Sequence, residues 1–239
     1  MIYFLVPIFN EKENIPVLAA TLSASLPGKN KFYVVADDCS SDNSVEIIKT
    51  SFPQDNFHLI TKQINAGPGD SFNLGFEWII QHSNSSDDRI ITLEGDNTSD
   101  LSILEKMYLL SESGYELVLA SVYAQGGGFE KTSFVRKLIS FVANTMLRSI
   151  FGVTARTLSS FYRIYHIELI RKIKSRYGTI ISENGFICMV EILIKAVRLK
   201  ASVIEIPTTL LSGRRKGKSK MKIIHTTMNY IGFFFRFRK

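Results

Sequence analysis

Ile2-Tyr3-Phe4-Leu5-Val6-Pro7-Ile8 is an unbroken apolar run that gives way to Asn10 and Glu11. A run of this length with no polar alternation reads as a strand buried on both faces, the kind found in parallel sheets covered by helices. Asn10 can cap a helix over 13–24, with Pro16 in its first turn. Residues 32–36 repeat the buried-strand pattern and end in Asp37 and Asp38; after Ser40-Ser41-Asp42-Asn43 a helix is predicted over 44–51. The next strand, 57–60, leads into Asn65-Ala66-Gly67-Pro68-Gly69 and a helix over 71–82. A fourth strand, 89–93, ends in Glu94-Gly95-Asp96, and a helix near 102–113 and a strand at 116–120 follow. This β-α-β-α alternation predicts an α/β fold with a mostly parallel sheet and helices on both faces. Ligands of such sheets bind at the carboxyl ends of the strands, where both acidic clusters fall.

Beyond residue 121 the pattern changes. Gly126-Gly127-Gly128 is expected to form a flexible turn, 134–151 a long helix carrying Arg136, Lys137 and Arg148, 186–197 another helix, and 203–206 a strand closed by Pro207. A Gly- and Lys-rich loop spans 213–222, and an aromatic-rich helix over 223–237 ends in Arg236-Phe237-Arg238-Lys239. No internal repeat or linker is visible.

Charge follows the same division. Residues 1–120 carry a net −10 and residues 121–239 a net +17, which gives the chain its +7. An acidic half suits a cation and a basic half an anion, although two differently solvated surfaces would give the same split. Cys39 and Cys188 are far apart and fit no metal-ligand spacing, as expected in a reducing compartment without disulfides. The apolar start has neither a basic leader nor a small-residue cleavage site, so a first strand is expected in place of a signal peptide. No stretch reaches the roughly 18 apolar residues of a membrane-spanning helix.

Glu94 and Asp96 lie two apart at a strand end, where two carboxylates can share one hard cation; a solvated turn with Asp96 as a helix cap is the plain alternative. Asp37 and Asp38 can accept hydrogen bonds from a base or ribose, or simply cap the following helix. Gly67 and Gly69 either make a turn or let the backbone approach a nucleotide. Arg214-Arg215-Lys216-Gly217-Lys218-Ser219-Lys220 holds five cations in seven residues, a composition suited to phosphate. A nucleic-acid binder would interleave aromatics with these cations. Here the aromatics Tyr230, Phe233, Phe234, Phe235 and Phe237 lie beyond the loop. They suggest an interfacial membrane anchor, with core packing as the alternative.

The ordered set Val6-Pro7-Ile8-Phe9-Asn10-Glu11, Ala36-Asp37-Asp38-Cys39-Ser40-Ser41-Asp42, Asn65-Ala66-Gly67-Pro68-Gly69 and Glu94-Gly95-Asp96 resembles the nucleotide-sugar half of family 2 glycosyltransferases with the GT-A fold. The second half resembles the dolichyl- and polyprenyl-phosphate sugar synthases. The similar segments are Gly126-Gly127-Gly128, Arg136-Lys137-Leu138-Ile139-Ser140 with Ala143-Asn144, Ser160-Phe161-Tyr162-Arg163-Ile164-Tyr165, Gly185-Phe186 with Glu191, and Ile206-Pro207 through Arg214, Gly217, Ser219, Lys220 and Met221. The resemblance implies a GT-A domain over 1–222, with a nucleotide-sugar half at 1–120, an acceptor half at 121–222 and an amphipathic interfacial tail at 223–239. It implies inverting transfer of a hexose from GDP-mannose or a UDP-hexose to a polyprenyl or dolichyl phosphate, at the cytoplasmic face of a membrane, with Mg2+ or Mn2+ as cofactor and room for an integral-membrane partner. Pro7, Glu11, Asp37, Asp38 and Gly67 would line the nucleotide. Glu94 and Asp96 would hold the metal, and Arg136, Arg214, Ser219 and Lys220 the donor diphosphate and acceptor phosphate. A second reading keeps the family but takes a sugar hydroxyl as acceptor, with Glu183 or Glu191 as general base; a non-catalytic nucleic-acid binder is the distant third.

Overall fold

A computed structural model describes residues 1–217 and Phe233, leaving out the side chains of Val135, Arg136 and Ile139. Ser219, Lys220 and the tail other than Phe233 therefore lie outside the described residues.

The apolar runs form a seven-stranded sheet of order β3-β2-β1-β4-β7-β5-β8. Its strands are β1 (Ile2–Ile8), β2 (Lys31–Asp37), β3 (Phe57–Thr61), β4 (Arg89–Thr92), β5 (Leu117–Ser121), β7 (Arg163–His166) and β8 (Val203–Pro207). All neighbours pair in parallel except β7, which runs antiparallel between β4 and β5. Side chains alternate between the two faces, as the strand period of two requires. Tyr3 and Leu5 join one core with Phe72 and Phe76 of α3 (Pro68–His82), Ile170 of α6 (Ile167–Tyr177) and Leu193 of α7 (Cys188–Arg198). Phe4, Val6 and Ile8 join the other with Leu18 of α1 (Ile15–Ala24), Ile48 of α2 (Ser44–Ser51) and Met107 of α4 (Leu104–Glu112). The sheet is thus covered on both faces, as expected. β1 is flanked by β2 on one side and β4 on the other, so the chain reverses its direction of travel across the sheet there and opens a crevice at the carboxyl ends.

Three features depart from the expectations. β7 and α6 occupy a segment for which the sequence predicts no element. β7 has only four residues, Arg-Ile-Tyr-His, and its polar ends conceal a buried strand. Gly126-Gly127-Gly128 is not wholly a turn, because Gly128 opens β6 (Gly128–Glu130), which pairs in parallel with β9 (Thr209–Leu211) as a separate two-stranded ribbon. Phe233, expected in an interfacial tail, is fully buried against Phe151 at the end of α5 (Phe134–Phe151).

β7 is tolerated in the sheet centre because every nitrogen of its guanidinium has a partner. Arg163 is fully buried, donating from Nε to the Ser160 carbonyl (2.8 Å), from Nη2 to that of Leu158 (2.6 Å), and from Nη1 to that of Met189 (2.8 Å) and the Tyr165 hydroxyl (3.2 Å). One guanidinium thereby ties the loop before β7 to α7. Arg163→Met removes all four hydrogen bonds and deprives three carbonyls of a donor, so unfolding in urea should show a loss of about 3 kcal/mol or more.

Candidate active site

The crevice edge is built from the ends of β1, β2 and β4. Asp37 closes β2 with its Oδ2 accepting from the Ser40 amide (3.0 Å), while its buried Oδ1 has no partner among the described residues. An orphan buried acceptor is costly, and a ribose or base donor would complete it. Asp38 is engaged: its carboxylate accepts from Lys62 Nζ (2.7 Å), the Ala66 amide (2.9 Å) and the Gly67 amide (2.8 Å). It shapes the glycine turn. The Lys62 side chain is largely covered, 7% exposed, and also pairs with Asp70 (2.6 Å). Pro7 lies in β1 opposite Ala36, and Glu11, just past the strand, is buried and accepts from Asn14 Nδ2 (2.5 Å).

The glycines of that turn answer to another loop. Gly67 has φ +93°, and a Cβ there would lie 2.5 Å from the Asn184 carbonyl oxygen; a Cβ on Gly69 would lie 1.8 Å from that of Glu183. Gly69 donates its amide to the Asn184 carbonyl (2.8 Å). The 182–185 segment is held in turn by Glu191. This fully buried carboxylate accepts from the amides of Ser182 (3.0 Å) and Glu183 (2.9 Å) and pairs with Lys195 (2.7 Å), which donates onward to the carbonyls of Thr179 and Ile180. Glu191 is a clamp beneath the site with no opening to a substrate.

Past β4 the chain turns through Glu94-Gly95-Asp96. Glu94 accepts from Ser99 Oγ (2.6 Å). Burial, reinforced by the negative charge of Asp96, raises its carboxyl above the usual carboxylate value. Asp96 Oδ1 accepts from the Thr98 amide (3.1 Å) and hydroxyl (2.6 Å). Its Oδ2 accepts a two-pronged contact from Arg215, through Nε (2.7 Å) and Nη2. The basic loop is strapped across the crevice at three points. Besides the Arg215 pair, the Leu211 amide donates to the Thr98 carbonyl (2.9 Å), and the Lys216 backbone exchanges hydrogen bonds with the Asn14 side chain (2.9 and 3.0 Å). The acidic and basic halves therefore meet at Asp96. Tyr162 adds a buried hydroxyl without a partner among the described residues, pushed well above the usual phenol by burial and then by Asp100 and Glu94.

The remaining predicted site residues stand apart or are not described. Arg214 is exposed at the end of the short turn Ser212–Arg214. Arg136 sits in the first turn of α5 with its side chain undescribed. Asn14, Lys62 and Arg215 hold much of the arrangement, yet nothing in the sequence ranked Arg215 above its four cationic neighbours.

Among the described residues no three His, Cys, Asp or Glu converge as a cation site. Glu94 and Asp96 offer two hard oxygens from one turn, a set that suits Mg2+ or Mn2+ when diphosphate and water supply the other ligands. Asp96 would have to exchange Arg215 for the ion.

Comparison with known proteins places this arrangement. Residues 3–174 match the family described as Glycosyl transferase family 2. The chain belongs to that family, and its chemistry is glycosyl transfer. It is 26% identical to a polyprenol monophosphomannose synthase of Mycolicibacterium smegmatis, an alignment covering 91% of this chain and 79% of the relative. It is 24% identical to an undecaprenyl-phosphate mannosyltransferase of Micrococcus luteus, covering 91% and 86%. Among solved structures, glucosyl-3-phosphoglycerate synthase of Mycobacterium tuberculosis, in complex with Mn2+, UDP and glucosyl-3-phosphoglycerate, superposes with TM-score 0.65 at 14% identity, over 97% of this chain and 80% of that one. That likeness establishes the fold, which is of the GT-A type.

The raised Glu94 carboxyl has a stability consequence. A folded-state value above the unfolded one means that ionising Glu94 costs stability, fully above the folded value and not at all below the unfolded one near 4.3. In metal-free buffer, Glu94→Gln should raise the urea midpoint at pH 7, and the gain should fade as pH drops towards 4.

Proposed function

We propose that this enzyme transfers a hexose from a nucleotide sugar to a polyprenyl phosphate at a membrane surface. The carrying observation is the meeting at Asp96 of an acidic strand end with a loop whose sequence has no acidic residue from Gly213 to Lys239. The M. smegmatis and M. luteus relatives, named for polyprenol and undecaprenyl phosphate, support the acceptor class. Asp37, Glu11 and Pro7 line the base and ribose pocket. Asp38 keeps the Gly67 turn in shape. Glu94 and Asp96 hold Mg2+ or Mn2+, which when bound stabilises the charge growing on the departing diphosphate. Arg214, Ser219 and Lys220 of the loop, with Arg136 at the start of α5, pair with the donor diphosphate and the acceptor phosphate.

A lipid monophosphate is already anionic near neutral pH, so the protein must position it and relieve charge; it needs no strong base. That agrees with Glu191 being sealed into a clamp. A sugar hydroxyl would need a carboxylate at the attacking oxygen; the fully buried Glu191 has no path to one, which leaves the partly exposed Glu183 as the base that reading would require.

α5 supports the membrane reading. Phe134, Leu138, Phe141, Val142 and Met146 fall on successive turns and are each half exposed or more, with Lys137 and Arg148 on the same helix. An apolar stripe with cations suits a helix lying in a bilayer interface. Among the described residues no helix is long and apolar enough to cross a membrane.

The deciding assay is a panel of nucleotide sugars with polyprenyl phosphate in vesicles, scored for labelled lipid. Labelled lipid should form, and Asp96→Asn or excess chelator should abolish it; transfer to a free hydroxyl with none to polyprenyl phosphate would sink the proposal. For the surface, replacing Phe141 and Met146 together by Ser should weaken binding to phosphatidylglycerol vesicles at least tenfold, since each large apolar side chain contributes about 1.5–3 kcal/mol when buried. The unfolding midpoint should move little, because both side chains are more than half exposed and only the edge-on contact of Phe141 with Tyr123 is lost.

A further inference from the structure

Arg215 holds the very carboxylate that Mg2+ or Mn2+ would take. Arg215 places Nε 2.7 Å from Asp96 Oδ2 and brings Nη2 onto the same oxygen. The other oxygen, Oδ1, is already used by Thr98. Both side chains of the pair are largely buried, 21% exposed for Arg215 and 11% for Asp96, so the contact is only partly screened by solvent. A divalent cation approaching this carboxylate meets a guanidinium on one oxygen and two donors on the other. Each oxygen of Asp96 already accepts two hydrogen bonds, and a cation on Oδ2 would also face the like charge of the guanidinium, so the pair opposes metal binding.

The backbone explains why the arginine is there. The Lys216–Asn14 exchange and the Leu211–Thr98 bond hold the loop on either side of residue 215 without using its side chain. Arg215 can therefore leave Asp96 while the loop stays anchored, and on the reading above a released guanidinium would face a bound diphosphate.

We infer that Arg215 is a positioning residue that latches the donor site: it occupies Asp96 in the donor-free enzyme, yields that carboxylate to the metal, and turns to the diphosphate. This rests on the reading of Asp96 as a metal ligand. Its effect is to keep the bare cation weakly bound, since apparent affinity falls by the fraction of molecules whose site is open. Metal and diphosphate then favour each other's binding, each removing a partner that opposes the other.

The test uses Mn2+ alone with the full chain, reading free Mn2+ by electron paramagnetic resonance. Arg215→Met should bind Mn2+ at least tenfold more tightly than the wild type. Lys216→Met, which removes the same charge from the same loop at an exposed side chain and keeps the backbone contacts to Asn14, should change the affinity by less than threefold. Asp96→Asn should lose the site. Unfolding midpoints confirm that each variant is folded. If Arg215→Met binds no more tightly than the wild type, or if Lys216→Met tightens binding equally, the latch is overturned while the metal reading stands. If Asp96→Asn keeps wild-type affinity, Asp96 is not the ligand and both readings fall.

Discussion

The constraint on which the site depends is the direction of the strands. β1, β2 and β4 run parallel, so their carboxyl ends reach one edge of the sheet, and the switch between β1 and its two neighbours leaves a crevice there. Asp37, Asp38, Glu94 and Asp96 share a site for that reason, although up to 59 positions separate them in the chain. Turning one strand around would scatter them. The one strand that does turn around, β7, lies on the far side of β4, where its loop supplies Phe161 and Tyr162 and no carboxylate.

The carboxylates at this edge divide into two uses. Asp38 and Glu191 are spent on backbone amides, each fixing a loop that in turn fixes the other: Asp38 shapes the Gly67 turn, Glu191 holds the 182–185 segment, and the two loops touch through Gly69 and Asn184. Amide donors around a buried charge offset its desolvation. Asp37, Glu94 and Asp96 are less fully used. One oxygen of Asp37 is orphaned, Glu94 is held above its usual ionisation range, and Asp96 is neutralised by a residue from the other half of the chain. Such strain concentrated at one edge marks a site built for a ligand.

Much of this was legible beforehand. The seven-residue apolar run of β1, the acidic strand ends and the basic loop each carry a local signature, and buried parallel strands leave a continuous apolar trace. β7 left none. Four residues with arginine at one end and histidine at the other look like loop, and the carbonyls of residues 158, 160 and 189 with the Tyr165 hydroxyl make that arginine burial possible. Gly67 and Gly69 were visible as special positions, but their reason, the carbonyls of Asn184 and Glu183, comes from more than a hundred residues away. Likewise the loop composition announced anion binding, whereas the choice of Arg215 for Asp96 depends on how Asn14 grips the neighbouring backbone.

The antiparallel insertion also sets an order of assembly. β1 through β4 and their helices can pair from residues 1–92 alone, although β4 reaches β1 only by crossing back over β2. The right-hand edge of β4 then waits for β7, some seventy residues later, and β5 cannot join the sheet except through β7. On a ribosome making roughly 5–20 residues per second, that buried-type strand would stand uncovered for several seconds. An open apolar edge of this kind is a template for pairing with another chain. The half of the molecule that reads as a nucleotide domain is thus the part most in need of shelter while the rest is being made.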